Sequence, residues 1–400
     1  MHLDILRTLP VAGLVASAAA VNIHVSSYGG LLTSYALEKS SSIDTWDKKA
    51  TGYTLKDLGS INGPGPQPSW LELGTDKKIV YALDENWSGP NGSIASYSIT
   101  KNGSLQLLQK YQTPNGPVAT TLYNKGKGIA VALYGGAAVG SYSVKPDGAL
   151  ESLGNFFFTQ AGPGPVAARQ EKPHPHEVIL DPNDKFIVAP DLGSDLLRIF
   201  SIDAKTSKLT EQEPFPVKPG SGPRHGAFYA GPGCKNGSTY FFLVNELTNT
   251  VESYNVTYGK SLDFKLIESK GIYGNISTPA GAAGAEAIIS PDRKFLHTSS
   301  RNATILNVAL TNGTVVKSDT LQTWSIDAAT GKLNFVANSP SGGTTPRQFS
   351  LNKEGTLAGV GSQGSGRFVI MERDVKTGVF GKIVASKEGV GEVNMVIFQE

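Results

Sequence analysis

Six polar residues each stand at the opening of a short apolar run: His176, Arg224, His225, Glu286, Arg347 and Gln348. Five more, Glu85, Tyr134, Asp191, Glu246 and Arg301, follow the next apolar run of their own segments. Imidazole, guanidinium and carboxyl groups gathered in one concave place suit a small anionic substrate whose carboxylates are gripped while a proton moves. An arginine fork binds a carboxylate bidentately and stays charged. Proton delivery needs a pKa near the working pH, which favours histidine or a desolvated glutamate. A plainer role competes, because polar side chains at strand starts also satisfy buried backbone groups and channel water. The two readings part only if the fold brings these residues together.

The segment 172–203 shows how it could. Periodicity and turn residues divide it into three short strands joined by a Pro-Asn-Asp turn and a Leu-Gly-Ser-Asp turn, which is one antiparallel meander. The same plan recurs after Gly222-Pro223-Arg224-His225, Gly284-Ala285-Glu286 and Thr345-Pro346-Arg347-Gln348, and more weakly after Gln67-Pro68-Ser69-Trp70 and Gly116-Pro117-Val118-Ala119. Aligning the copies places Ser69, Ala119, His176, His225, Glu286 and Gln348 at one repeat position, roughly 50 to 60 residues apart, the length of a four-stranded propeller blade with its loops. A seventh blade is assembled from both ends of the chain: residues 392–399, with Asn394 at the aligned position, join 22–28, 32–37 and 53–60. Such closure removes two sheet edges that would otherwise invite aggregation. The expected fold is therefore an all-β, seven-bladed propeller over residues 21–400. A two-sheet sandwich has similar strand content but no reason to repeat a Pro-x-polar opening. In a propeller the first strand of each blade lines the central channel, so openings far apart in sequence meet in one funnel.

Residues 1–20 read as a secretory leader, with Arg7, an apolar run and Ala18-Ala19-Ala20 before Val21. The apolar run is too short for the roughly 20 residues that span a bilayer. Asn-x-Ser/Thr acceptor sites at Asn86, Asn91, Asn102, Asn236, Asn255, Asn275, Asn302 and Asn312 agree with a secreted or cell-surface glycoprotein cleaved near Ala20. A net charge of +2 and 18% charged residues give no electrostatic reason for a nucleic-acid or anionic-membrane partner. The single cysteine, Cys234, cannot form an intrachain disulfide. No Gly-x-Ser-x-Gly elbow supports serine-hydrolase chemistry, and Gly162-Pro163-Gly164-Pro165 lacks the Gly-Lys-Ser/Thr ending of a phosphate loop and reads as a loop over the channel mouth. His174, His176 and His225 could converge on a metal, but no metal is expected.

The phrases Pro173-His174-Pro175-His176, Ala189-Pro190-Asp191-Leu192-Gly193, Gly222-Pro223-Arg224-His225, Val244-Asn245-Glu246-Leu247 and Ser299-Ser300-Arg301-Asn302 resemble the lactonase family of seven-bladed propellers. That family includes bacterial 6-phosphogluconolactonase and the fungal 3-carboxy-cis,cis-muconate cyclase, and the leader and acceptor sites bring this chain closer to the cyclase branch. The resemblance implies His176, Arg224, Glu246 and Arg301 as functional residues, with the arginines on substrate carboxylates and His176 with Glu246 in proton transfer. His225, Glu286, Arg347, Gln348 and Asp191 would line the substrate. The implied reaction is an intramolecular lyase step: a carboxylate oxygen adds across a carbon–carbon double bond to close a lactone while an acid protonates the neighbouring carbon. It needs no redox step and no cofactor. A sugar-lactone hydrolase and a non-catalytic secreted glycoprotein are the alternatives, and the acceptor site at Asn302, beside Arg301, weighs toward the latter.

Overall fold

The computed structural model describes residues 20–39, 52–231 and 233–400. The expected leader lies outside these residues, apart from Ala20. Seven four-stranded antiparallel sheets are present, six of them built from consecutive stretches of chain. In the remaining sheet Glu392–Gln399 pairs with Val21–Tyr28, which continues to Leu31–Lys39 and Tyr53–Asn62. The C-terminal strand takes the first-strand place of that blade, so the ring is closed by pairing the two ends, as the repeat requires.

Strand composition follows strand position. Gly128–Leu133, a second strand, is buried at every residue, because it is covered by a blade on each face. Leu105–Pro114, a fourth strand at the rim, is largely exposed between its buried ends. The core lies between neighbouring sheets; in one such layer Val188 and Ile199 of one blade meet Phe241, Leu243 and Tyr254 of the next. First strands abut first strands around the axis, Pro68–Leu73 lying between Glu392–Gln399 and Pro117–Tyr123. Among the described residues no helix is long and apolar enough to cross a membrane.

Two segments stand outside the repeat. A hairpin, Leu306–Ala309 with Val315–Ser318, is inserted within the blade that carries Glu286; it follows the acceptor site Asn302 and bears Asn312 in its turn. A segment without strands separates Leu150–Phe157 from Pro175 and reaches the channel mouth.

Candidate active site

Four blades open on proline, at Pro68, Pro117, Pro175 and Pro223, and each of these openings is irregular. Pro223 pairs with Asn245 and His225 with Val244, which leaves Arg224 as an extra residue. Ser69 is the extra residue between Pro68 and Trp70, and Val118 between Pro117 and Ala119. In the blade that carries His176, Pro175 bridges Asp191 and the next pair is Ile179 with Val188, so three residues oppose two. A bulge of this kind re-aims a side chain that strict alternation would turn away. Adjacent residues therefore both reach the axis: His176 with Glu177, and Arg224 with His225. This corrects the aligned position expected from sequence. His176 is in register with Ser69 and Arg224, whereas Glu177 is in register with Trp70, Ala119 and His225. Two rings result where one was expected.

In the lower ring His225 Nδ1 lies 2.9 Å from Glu286 Oε1, and His225 Nε2 lies 3.2 Å from His176 Nδ1. Glu177 Oε2 accepts the Gly226 N–H at 2.8 Å, and Glu286 Oε1 also accepts the Ala287 N–H at 2.9 Å. Gln348, the residue after Arg347 as His225 is after Arg224, is also buried, its Oε1 without a hydrogen-bond partner. The upper ring and the turns after the second strands form a charged layer. Glu246 is met by Arg169 at 2.6 Å, Arg301 at 2.6 Å and Arg224 at 3.0 Å. Arg224 approaches too obliquely for a hydrogen bond, and all its guanidinium nitrogens are buried without one. Arg347 is already gripped, at 2.6 Å by Glu85 and at 2.7 Å by the Tyr28 hydroxyl oxygen.

Asp191 departs from its expected role as a substrate contact. It pairs with Arg198 at 2.7 Å and accepts the His174 and Ser194 N–H groups, so its carboxylate braces the strand opening. Asp84, at the same register, likewise accepts the Gln67 N–H before Pro68. In register, the residue equivalent to Glu246 is Leu192, one position later. His174 also stays apart from His176 and His225: it stacks on Tyr134 with ring centres 4.1 Å apart and contacts Glu171 at 2.9 Å.

The family described as "Lactonase, 7-bladed beta-propeller" matches residues 29–398. The chain belongs to this family. A protein of Arthroderma benhamiae named "Probable 6-phosphogluconolactonase" is 34% identical over 325 residues, covering 81% of this chain and 78% of its own length. The 6-phosphogluconolactonase of Formosa agariphila is 28% identical over 352 residues, covering 84% of this chain and 93% of its own. The solved structure of the Pseudomonas aeruginosa periplasmic gluconolactonase superposes with a TM-score of 0.77 at 24% identity, over 95% of this chain and 99% of that one. At that identity the likeness speaks for the fold alone.

Burial and neighbouring charge set the protonation states in this lactonase-family site. Burial, with Arg224, His225, Arg347 and Arg301 nearby, holds His176 well below its ordinary value of 6.5. Burial also lowers His225, to about 4, against the pull of Glu286. Glu177 moves the other way: burial and the neighbouring Glu286 keep it protonated well above the usual carboxylate range. Burial would raise Glu246 too, but Arg301, Arg224 and Arg169 outweigh it and bring the carboxyl down to about 2. A group held there carries no proton at neutral pH, so Glu246 has none to donate and is placed to hold the arginines. Burial and Arg301 lower Arg224 to about 9, still a cation at neutral pH.

Glu177, His225 and Glu286 place one ligand atom each within 4.8 Å of one another, the spacing of a metal site. His225 Nδ1 is engaged by Glu286 at 2.9 Å, so a cation there would have to displace the proton that this contact shares. Arg169 and Glu177 were not singled out in the sequence. Glu177 was legible in the shared Pro-x-polar frame of Pro175-His176-Glu177 and Pro223-Arg224-His225. Arg169 sits in the strandless segment, where no repeat marks it.

Proposed function

We propose that this protein hydrolyses a sugar lactone, with His176 as general base. The observation that carries this reading is the hydrogen-bond chain from Glu286 through His225 to His176. Glu286 Oε1 already accepts the Ala287 N–H at 2.9 Å, and as acceptor towards His225 as well it leaves the proton on His225 Nδ1 and makes Nε2 the acceptor. His176 Nδ1 must then donate to it. The lone pair of His176 is left on Nε2, free to take a proton from water.

The steps follow from that tautomer. Water attacks the lactone carbonyl carbon as His176 Nε2 accepts its proton, and the carbonyl oxygen becomes an oxyanion. Arg224, with buried unpaired donors, is suited to stabilise it. As the tetrahedral intermediate collapses, the ring carbon–oxygen bond breaks and His176 returns the proton to the departing alkoxide. The product is the hydroxy acid. No cofactor enters these steps.

Cyclisation of a carboxymuconate would instead need an acid that protonates carbon. Unprotonated His176 and ionised Glu246 do not supply one. Glu177 is protonated but lies by the Nδ1 edge of His225, 3.7 Å away and on the opposite side of that ring from His176. The names of the relatives point the same way, toward a phosphorylated sugar lactone. Purified protein incubated with glucono-δ-lactone and its 6-phosphate is expected to release acid well above the spontaneous rate, and to leave the diene absorbance of 3-carboxy-cis,cis-muconate unchanged. Loss of the diene without acid release selects the cyclase; no change in either assay selects a binding glycoprotein.

The leader-like N-terminus and the acceptor sites support secretion and glycosylation as a further part of this reading. Asn102, Asn236, Asn275, Asn302 and Asn312 are exposed, whereas Asn86, Asn91 and Asn255 are partly buried. Expressed with its leader in a fungal host, the protein is expected in the medium, and endoglycosidase treatment should lower its mass. An intracellular product of unmodified mass would refute this.

A further inference from the structure

The acidic group at the channel mouth has more positive charge around it than it can neutralise. Arg169, Arg224 and Arg301 surround the single carboxylate of Glu246, a surplus of two charges. The neighbouring Arg347 is already balanced by Glu85, so it adds nothing to the surplus. Counting Glu286, whose charge also reaches Arg224, still leaves a surplus of one. Buried cations without matching anions are costly, and here several donors are unused: every guanidinium nitrogen of Arg224 and the Nε of Arg301 are buried without a hydrogen-bond partner. A lactone ring is uncharged and the oxyanion that Arg224 would meet exists only during the reaction, so hydrolysis of the ring does not account for a surplus present in the resting site.

Arg169 differs from the other two cations in its setting. Arg224 is fully buried on a first strand, and the Arg301 side chain is only 16% exposed, whereas that of Arg169 is 42% exposed. It rides on a turn that is built rather than loose. The Arg169 and Gln170 N–H groups both donate to the Val166 carbonyl, and the buried Gln170 side chain ties the turn to Val166 and to the Leu192 carbonyl. The turn is seated close on the blade: a Cβ at Gly193 would come 1.8 Å from the Lys172 carbonyl oxygen. Arg169 is thus held at the entrance with part of its fork on Glu246 and part facing solvent.

We infer that Arg169, with Arg301, is the specificity-determining cation that grips a dianionic substituent of the substrate, a phosphate monoester, at the end remote from the lactone carbonyl. A phosphate monoester carries about −1.5 to −2 charges near neutral pH, of the same order as a surplus of one to two. It also presents oxygens in the geometry that an arginine fork binds bidentately. Glu246 holds the three guanidiniums apart and shares them with the incoming anion. This rests on the lactone-hydrolase reading and adds to it which end of the substrate is recognised and by what.

The test compares wild type with Arg169→Met and Arg169→Lys on glucono-δ-lactone and its 6-phosphate. Wild type should prefer the phosphorylated lactone, and Arg169→Met should lower that preference, the ratio of the two kcat/KM values, on the order of ten- to a hundredfold, mainly through KM. Arg169→Lys should fall between. A wild type without the preference, or a ratio within twofold of wild type in Arg169→Met, overturns the assignment. Titration calorimetry with the products, 6-phosphogluconate against gluconate, reads the same preference without turnover. If no lactone is hydrolysed but the product preference is present and drops in Arg169→Met, the grip stands and the hydrolase reading falls. If hydrolysis proceeds while the product preference is unmoved, the reverse holds.

Discussion

His176→Ala is expected to lower kcat/KM for lactone hydrolysis by about 10²- to 10⁴-fold, the usual contribution of a positioned general base. The loss should fall on kcat, because the arginines that hold the substrate are untouched. His176 is buried within a shell of polar groups, so folding of the variant should be checked by its cooperative thermal transition. The pH profile gives an independent reading. Burial and Arg224 lower the pKa of His176 below 6.5, so the imidazole is neutral and competent above that value. Activity corrected for spontaneous hydrolysis should be level through neutrality and fall only as pH drops below 6.5 towards the depressed pKa. That limb should be missing from whatever activity His176→Ala retains. His225→Phe, which removes the acceptor for His176 Nδ1–H, should reproduce part of the loss and change the limb, because the tautomer is no longer fixed. Wild-type turnover in His176→Ala would exclude it as the base.

The second large effect is on stability. Glu246→Ala removes the one carboxylate shared by Arg169, Arg224 and Arg301. Removing one partner of a buried ion pair costs about 3–5 kcal/mol, because the charges left behind are uncompensated. Glu246→Ala should therefore unfold in urea at a clearly lower midpoint, and Arg224→Met in the same chain should restore part of the loss. The pH dependence has a definite sign. The carboxyl has a pKa of about 2 in the folded chain against 4.5 in the unfolded one. A group lowered in this way contributes its full stability above pH 4.5 and loses it as pH falls towards 2. Wild type should show that acid-side loss and Glu246→Ala should lack this part of it. A variant within about 0.5 kcal/mol of wild type, the range of an ordinary surface change, would mean that the guanidiniums do not depend on Glu246.

The ring of blades was readable because its determinants are local. Apolar runs such as 128–133 and the recurring Pro-x-polar openings are written in consecutive residues, and the odd strand left at each end of the chain has to be paired. The candidate site was only half readable. Arg224, His225, Glu246, Glu286 and Arg301 do meet around the axis with His176. The bulges at the proline openings were not legible, since one unpaired residue leaves no mark in composition yet moves the next side chain by a register. Glu177 was missed for that reason and Asp191 assigned to a substrate it does not face.

The sequence by itself determined the number of blades, their closure and which strand openings carry polar groups, since each depends on spacing along the chain. Only the tertiary structure decided what those groups can do. Arg347 is spent on Glu85, 262 residues away, while Arg169 arrives at Glu246 from outside the repeat. His176 is an uncharged imidazole and Glu246 a fixed anion because protonation answers to burial and to charges a few ångströms off. Those distances exist only once seven separate sheets stand around one axis.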